Sequence, residues 1–188
     1  MTDEGEINDQ LIVSQIVSGQ KDLFRLIVRQ YERAVCGMGL SFFRNSEDAS
    51  DFAQEVFLKA FRNLSRFEGR SRFSTWLYKI AYNTALNEVN RRKEYLSLAE
   101  EDAEKLSGRD ETPEMQAINS AARDSVKTAI KELPERFRIC VDLYFFYDRS
   151  YQEIEAITGI PVNTIKSHVH RAKIILREKL EDLDRRNV

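Results

Sequence analysis

The stretch "SLAEEDAEKLSGRDETPE", Ser97 to Glu114, constrains the fold of this chain more than any other. It has little helical periodicity, a high density of charge and a Gly–Pro bracket, which together mark a linker rather than a packed element. Cutting a chain of 188 residues there leaves an N-terminal module over 1–94, a linker over 95–112 and a C-terminal module over 113–188. Each module must bury a core of its own. Seven Gly and three Pro are too few for a turn-dense β fold. No internal repeat and no alternating strand pattern occurs. The expectation is an all-α protein: two small helical domains on an acidic flexible linker.

The net charge of −2 hides how charge is distributed. Residues 1–94 carry 14 basic and 13 acidic side chains, residues 95–117 carry 2 and 7, and residues 118–188 carry 13 and 11. The acidity sits in the linker, and the modules are weakly basic. Arg66, Arg70, Arg72, Lys79, Arg91, Arg92 and Lys93 form a local stripe opposed only by Glu68 and Glu88. Such stripes suit phosphate binding, because each neutralised phosphate releases counterions. The acidic, polar start "MTDEGEINDQ" is unlike a targeting signal, and no apolar run approaches the roughly 20 residues that span a bilayer. A cytoplasmic protein without membrane insertion is expected. Cys36 and Cys140 have no metal-ligand spacing and read as buried, reduced thiols. No metal or cofactor is expected.

In the first module a helical pattern runs from Asp22 to about Phe43. Asn45 or Ser46 can then cap the next helix, with Glu47 and Asp48 favourable at its positive end. Ala49, Phe52, Ala53, Val56, Phe57, Ala60, Phe61 and Leu64 form one buried stripe on it. Asp48, Asp51, Gln54 and Glu55 lie on the opposite face, which is either solvated or a docking surface for a basic partner. The next stretch, "RFEGRSRFSTWLYKIAYNTALNEVNRR", joins an Arg-studded loop to a helix from about Ser74 to Lys93. Gly69 breaks the period in that loop, where Arg70 and Ser71 follow, and Phe67 and Phe73 flank it. Trp76, Tyr78 and Tyr82 are either core or stacking groups. Lys79, Asn83, Asn87 and Asn90 line an outward row. Aromatics beside cations suit single-stranded nucleic acid, and a loop of this kind can house an unstacked base.

In the second module, Thr112–Pro113 starts a helix and Leu133–Pro134 ends it. A further helix contains Tyr144, Phe145 and Phe146. Tyr151–Thr158, the turn Gly159–Ile160–Pro161 and a helix from Asn163 to about Leu183 have the layout of a helix-turn-helix. Ile165, Val169, Ala172 and Leu176 point inward by their spacing. Lys166, Ser167, His170 and Arg171 point outward, with Thr164 near the helix start, as base-edge and phosphate donors require. His168 and His170, two apart, point to different sides of the helix and do not form a metal pair.

These residues resemble the second and fourth conserved regions of bacterial sigma factors. "DFAQEVF" and "FSTWLYKIAYN" carry the first likeness; "LPERFR", "SYQEI" and "GIPVNTIKS" carry the second, in the same order. With only these two regions and an acidic linker, the chain is similar to the extracytoplasmic-function class. The resemblance implies an initiation factor for RNA polymerase. Its N-terminal module would recognise and melt the −10 promoter element, capturing the non-template strand through Phe67, Gly69, Arg70, Ser71, Phe73, Trp76, Lys79, Asn83 and Asn87. Asp48, Asp51, Gln54 and Glu55 would face the clamp of one large polymerase subunit. Thr164, Lys166, Ser167, His168, His170 and Arg171 would read duplex DNA at the −35 element, and the C-terminal module would dock on the flap of the other large subunit. The linker would lie in the channel used by nascent RNA. An anti-sigma factor is a further implied partner.

Three positions depart from the family pattern: Glu155 replaces a small residue, Asn163 a Gly, and His168 an Arg. If His168 meets a phosphate, −35 binding should strengthen as pH falls through about 6.5. Two other readings compete. A stand-alone helix-turn-helix regulator would leave the aromatic-basic loop at Phe67 unexplained. A nucleic-acid enzyme would need a catalytic cluster or phosphate-cradling loop that the sequence does not display, so no enzymatic activity is expected.

Overall fold

The computed structural model describes residues 3–99, 129–130 and 132–186, with side chains over 9–94, 129–130 and 132–181. Among the described residues all regular structure is helical. The chain divides into two compact units, which are treated separately below.

The first unit contains α1 (Asp3–Val17), α2 (Phe24–Phe43), α3 (Ser46–Asn63) and α4 (Phe73–Ala99), with single 3₁₀ turns at Lys21–Leu23 and Leu64–Arg66. α2 ends where Arg44 turns left-handed, at φ 58°, and its N–H donates to the Leu40 carbonyl at 3.0 Å. The cap of α3 is Asn45, whose side chain accepts from the Glu47 N–H at 2.8 Å. Such a cap stabilises a helix by about 1 kcal/mol. α2 and α3 pack closely because Gly39 is buried against α3, where Phe52 and Ala49 leave no room for a Cβ.

The α3 stripe is buried at Ala49, Phe52, Ala53, Val56, Phe57 and Ala60, and Leu64 follows it inward. Phe61 departs from the expected stripe. It is 37% exposed, with its ring edge-on to Phe24 at 4.9 Å. α4 runs to Ala99, so residues 95–99, expected in the linker, continue a helix. The rest of the expected linker, and the Thr112–Pro113 helix start, lie outside the described residues. α1 has no counterpart among the sequence expectations. It buries Ile12, Val13 and Ile16, and its buried Asp9 carboxylate accepts the hydroxyl hydrogen of Tyr31. Cys36 is half-buried rather than buried, and Cys140 is buried as expected.

The second unit contains α5 (Glu135–Val141), which continues as a π turn over Asp142–Phe146, then α6 (Tyr151–Thr158) and α7 (Val162–Arg186). Pro134 breaks the preceding helix, and its carbonyl accepts from the Phe137 and Arg138 N–H groups at 2.8 and 3.0 Å to start α5. Leu133, Phe137 and Val141 pack against Ala172, with Ile175 and Leu176 beside them. In the π turn the Tyr147 N–H donates to the Asp142 carbonyl at 3.1 Å. Ser150 and Glu153 form a reciprocal capping box at the start of α6. Gly159, at φ 75°, ends α6 in the left-handed conformation that glycine adopts without strain.

Candidate nucleic-acid interface

Two exposed donor-bearing faces stand out, one on each unit. On the first, Phe67, Phe73 and Trp76 form a three-ring cluster with centroids 5.4 to 5.6 Å apart. Glu68 to Arg72 are exposed beside it, and Gly69 takes φ 69°. Arg70 pairs with Glu68 at 2.7 Å, and the Ser71 hydroxyl donates to the Arg72 carbonyl at 3.2 Å. Both contacts are solvent-exposed and worth little, so a phosphate can displace them. Lys79, Asn83, Asn87 and Asn90 are exposed along α4. The opposite side of that helix buries Leu77, Tyr78, Ala81 and Tyr82. The open question about the aromatics is therefore answered residue by residue. Tyr78 and Tyr82 are core, packed edge-on to Tyr31 and Phe42 respectively. Trp76 is half-buried and accessible.

Two expected contact residues need correction. Phe73 is only 2% exposed, because Phe67 and Trp76 cover it. It supports the platform and does not touch a ligand directly. Asp48, placed on the free acidic face, is engaged within the unit. Arg92 Nη1 and Nη2 donate to its two oxygens at 2.8 and 3.0 Å. Arg92 Nε also donates to Glu88 at 2.8 Å, and the guanidinium lies 5.0 Å from the Phe43 ring centroid. These hydrogen bonds hold the Asp48 carboxyl below its ordinary range and, with Arg91, do the same for Glu88. Asp51, Gln54 and Glu55 remain exposed, Glu55 paired with Lys59 at 2.7 Å. Beside Gln54 runs a groove of about 510 Å³, with Phe24, Ala53, Phe57, Leu58 and Phe61 in its lining. Its apolar component was missed from sequence, although Leu58 lies off the buried period and could have been noticed.

On the second unit the exposed face of α7 carries Thr164, Lys166, His170 and Arg171, with Ser167 half-exposed; Ile165, Val169 and Ala172 are buried. Lys166 Nζ lies 5.9 Å from the Tyr151 ring centroid, and Tyr151 itself stacks on Tyr144 at 4.8 Å. His168 is revised. Its Nδ1 lies 3.7 Å from Cys140 Sγ, and its ring is 5.1 Å from that of Phe137. Burial, followed by the Arg136 and Arg171 cations, lowers its pKa and outweighs a hydrogen bond to the Arg136 backbone. A neutral imidazole pinned to α5 replaces the expected phosphate contact. Burial also pushes the Cys140 thiol up to about 11, so it stays protonated.

A helical unit with an amide-and-cation row beside an aromatic loop, followed by a helix-turn-helix unit, defines a two-part reader of nucleic acid. No helix among the described residues is long and apolar enough to cross a membrane. Residues 27–95 match Sigma-70 region 2, and residues 123–176 match Sigma-70, region 4. The RNA polymerase sigma-H factor of Pseudomonas aeruginosa is 36% identical over 183 residues, 93% of this chain and 95% of that one. The ECF RNA polymerase sigma-E factor of Escherichia coli is 34% identical over 189 residues, 96% and 98% of the two chains. Two solved structures share the fold. The sigma factor RpoE of Bartonella quintana, in complex with the anti-sigma factor NepR, has a TM-score of 0.70 at 23% identity, covering 84% of this chain and 96% of that one. CnrH, in complex with the cytosolic domain of CnrY, has a TM-score of 0.66 at 22% identity, covering 93% and 97%. The chain belongs to the sigma-70 family, in its extracytoplasmic-function class. It is a sigma factor, directing RNA polymerase to promoters and starting DNA-templated transcription.

Proposed function

We propose that the two units of this sigma factor divide promoter reading between them. The module over 1–94 captures the melted non-template strand of the −10 element. A base unstacked from that strand enters the loop over 67–72 and stacks on Phe67 and Trp76, with Phe73 beneath. Lys79, Asn83 and Asn87 line the path of the strand. The module over 113–188 sets α7 in the major groove of the −35 element, with Lys166, Ser167, His170 and Arg171 reading base edges or phosphates and Thr164 at the helix start. Residues 95–112 connect the two.

Asp51, Gln54 and Glu55, together with the apolar Leu58 and Phe61, meet the clamp of the polymerase core, while Asp48 supports this face from within. The protein works in the cytoplasm without membrane insertion. An anti-sigma factor, of the kind that accompanies the two solved relatives, restrains it.

The observation that carries this reading is the separation of faces on α4: its tyrosines are core, while Lys79, Asn83 and Asn87 stand free beside the aromatic platform. The test is transcription by core polymerase plus this chain, followed by sequencing of the transcripts. Discrete start sites with shared −10 and −35 sequences are expected. Asn83→Ala should lower permanganate reactivity of the opened strand. Lys166→Ala and Arg171→Ala should each weaken −35 dependence by about 1–3 kcal/mol. Tight duplex binding by the purified chain without polymerase would refute the division of labour.

A further inference from the structure

The start of α7 is capped in an unusual way. Thr164 and Ile165 N–H groups donate to the Pro161 carbonyl at 2.9 and 3.0 Å, which makes Pro161 the residue at the helix entrance. Proline carries no side-chain acceptor, so the N–H groups of the first turn are left without the usual Ser, Thr or Asp partner. The Val162 N–H instead donates to Oε1 of Glu155, at 3.1 Å, from the last turn of α6. The Glu155 backbone carbonyl accepts from the Gly159 N–H at 2.8 Å. One residue thus bonds both the end of α6 and the beginning of α7.

Glu155 is exposed, as are Asn163, Thr164 and Lys166 around the same helix end. An exposed helix N-terminus with free N–H groups attracts phosphate, and in a helix-turn-helix this is the end that approaches the DNA. Here a carboxylate already occupies that end. We infer that Glu155 is a specificity-determining residue that keeps DNA phosphates off the recognition-helix N-terminus and so lowers affinity for DNA of arbitrary sequence. The argument rests on α7 being the DNA-reading helix. Without Glu155, any duplex could seat a phosphate there and gain affinity that carries no sequence information. With it, binding depends on the side chains that meet base edges.

The full chain is titrated onto a fluorescein-labelled random-sequence duplex, and affinity is followed against salt. Glu155→Gln keeps an acceptor for the Val162 N–H but removes the charge. It should bind the random duplex about three- to tenfold more tightly, because one like-charge contact with phosphate is relieved. Glu155→Ala removes acceptor and charge together. It should make the log affinity–log salt slope about one unit steeper, as expected for one added phosphate contact. A purely structural role predicts the opposite pattern, with Glu155→Ala weakened and Glu155→Gln equal to the parent. Glu155→Gln binding no tighter than the parent overturns the inference, even if Glu155→Ala fails to fold. Promoter-directed transcription by the parent with core polymerase checks the DNA-reading role of α7 separately, because the random-duplex measurement needs no promoter preference.

Discussion

Replacing Arg92 tests whether the N-terminal unit is locked by a charge cluster that no local pattern announces. Arg92 and Asp48 are 46% and 31% exposed, so solvent screens part of their attraction. Exposed ion pairs contribute about 0.2–1 kcal/mol, and the two-point geometry with short bonds places this one near the upper end. A double-mutant cycle of Arg92→Ala with Asp48→Ala should therefore give a coupling of about 1 kcal/mol. Arg92→Ala alone should cost about 2 kcal/mol, because the Glu88 bond and the Phe43 contact disappear with it. Trp76 is the only tryptophan of the chain and lies in the same unit, so urea unfolding followed by its fluorescence reports this unit and not the other. The pH dependence has a definite sign. Arg92 holds both carboxyls below their ordinary values, so the stabilisation is complete above the unfolded value of about 4 and is lost as pH falls through the folded values. A coupling below about 0.3 kcal/mol at neutral pH, or one that persists in acid, would refute the argument.

Three other outcomes can be checked independently. Gly39→Ala would place a Cβ 2.8 Å from Phe52 Cδ1 and 3.0 Å from Ala49 Cα; overpacking should outweigh the gain in helix propensity and cost about 1–2 kcal/mol in the same Trp76 assay. Asp51→Arg should reduce co-purification with core polymerase while leaving the urea midpoint unchanged, because Asp51 is exposed. His168 has a lowered folded pKa, so its neutral form fits the fold; stability of the second unit should be full above about pH 6.5 and decline below it, a decline that His168→Gln should flatten in circular dichroism melts.

Much of this was legible in the sequence, because periodicity and caps are local. The α3 stripe, the Asn45 cap, the Gly159 turn and the span of α6 all follow from residues within a turn or two of one another. What escaped depends on contacts between distant elements. Glu88 and Arg92 are neighbours on one helix, but Asp48 is 44 positions away. Gly39 looks like any helical glycine until α3 is laid across it. Phe73 and His168 were legible in principle. Phe73 shares an inward period with Leu77 and Ala81, and His168 with Ile165 and Ala172, all of them buried except the half-buried His168. In both cases the expected ligand role obscured the spacing. The extension of α4 to Ala99 crosses a change of composition that helical hydrogen bonding ignores.

The π turn over Asp142–Phe146 has a consequence for which changes of length the chain can accept. A turn bonded five residues apart holds one residue more than an α turn, and is equivalent to a single insertion. Deleting one residue there would let α5 continue as an unbroken α-helix, but everything beyond would rotate by about 100° and shift by about 1.5 Å along the axis. Tyr144 would swing away from Tyr151, and with it the ring that Lys166 faces from α7. Point substitutions in this segment are therefore open to drift, whereas a one-codon deletion would misalign the recognition helix. Descendants of this gene should carry insertions and deletions elsewhere first.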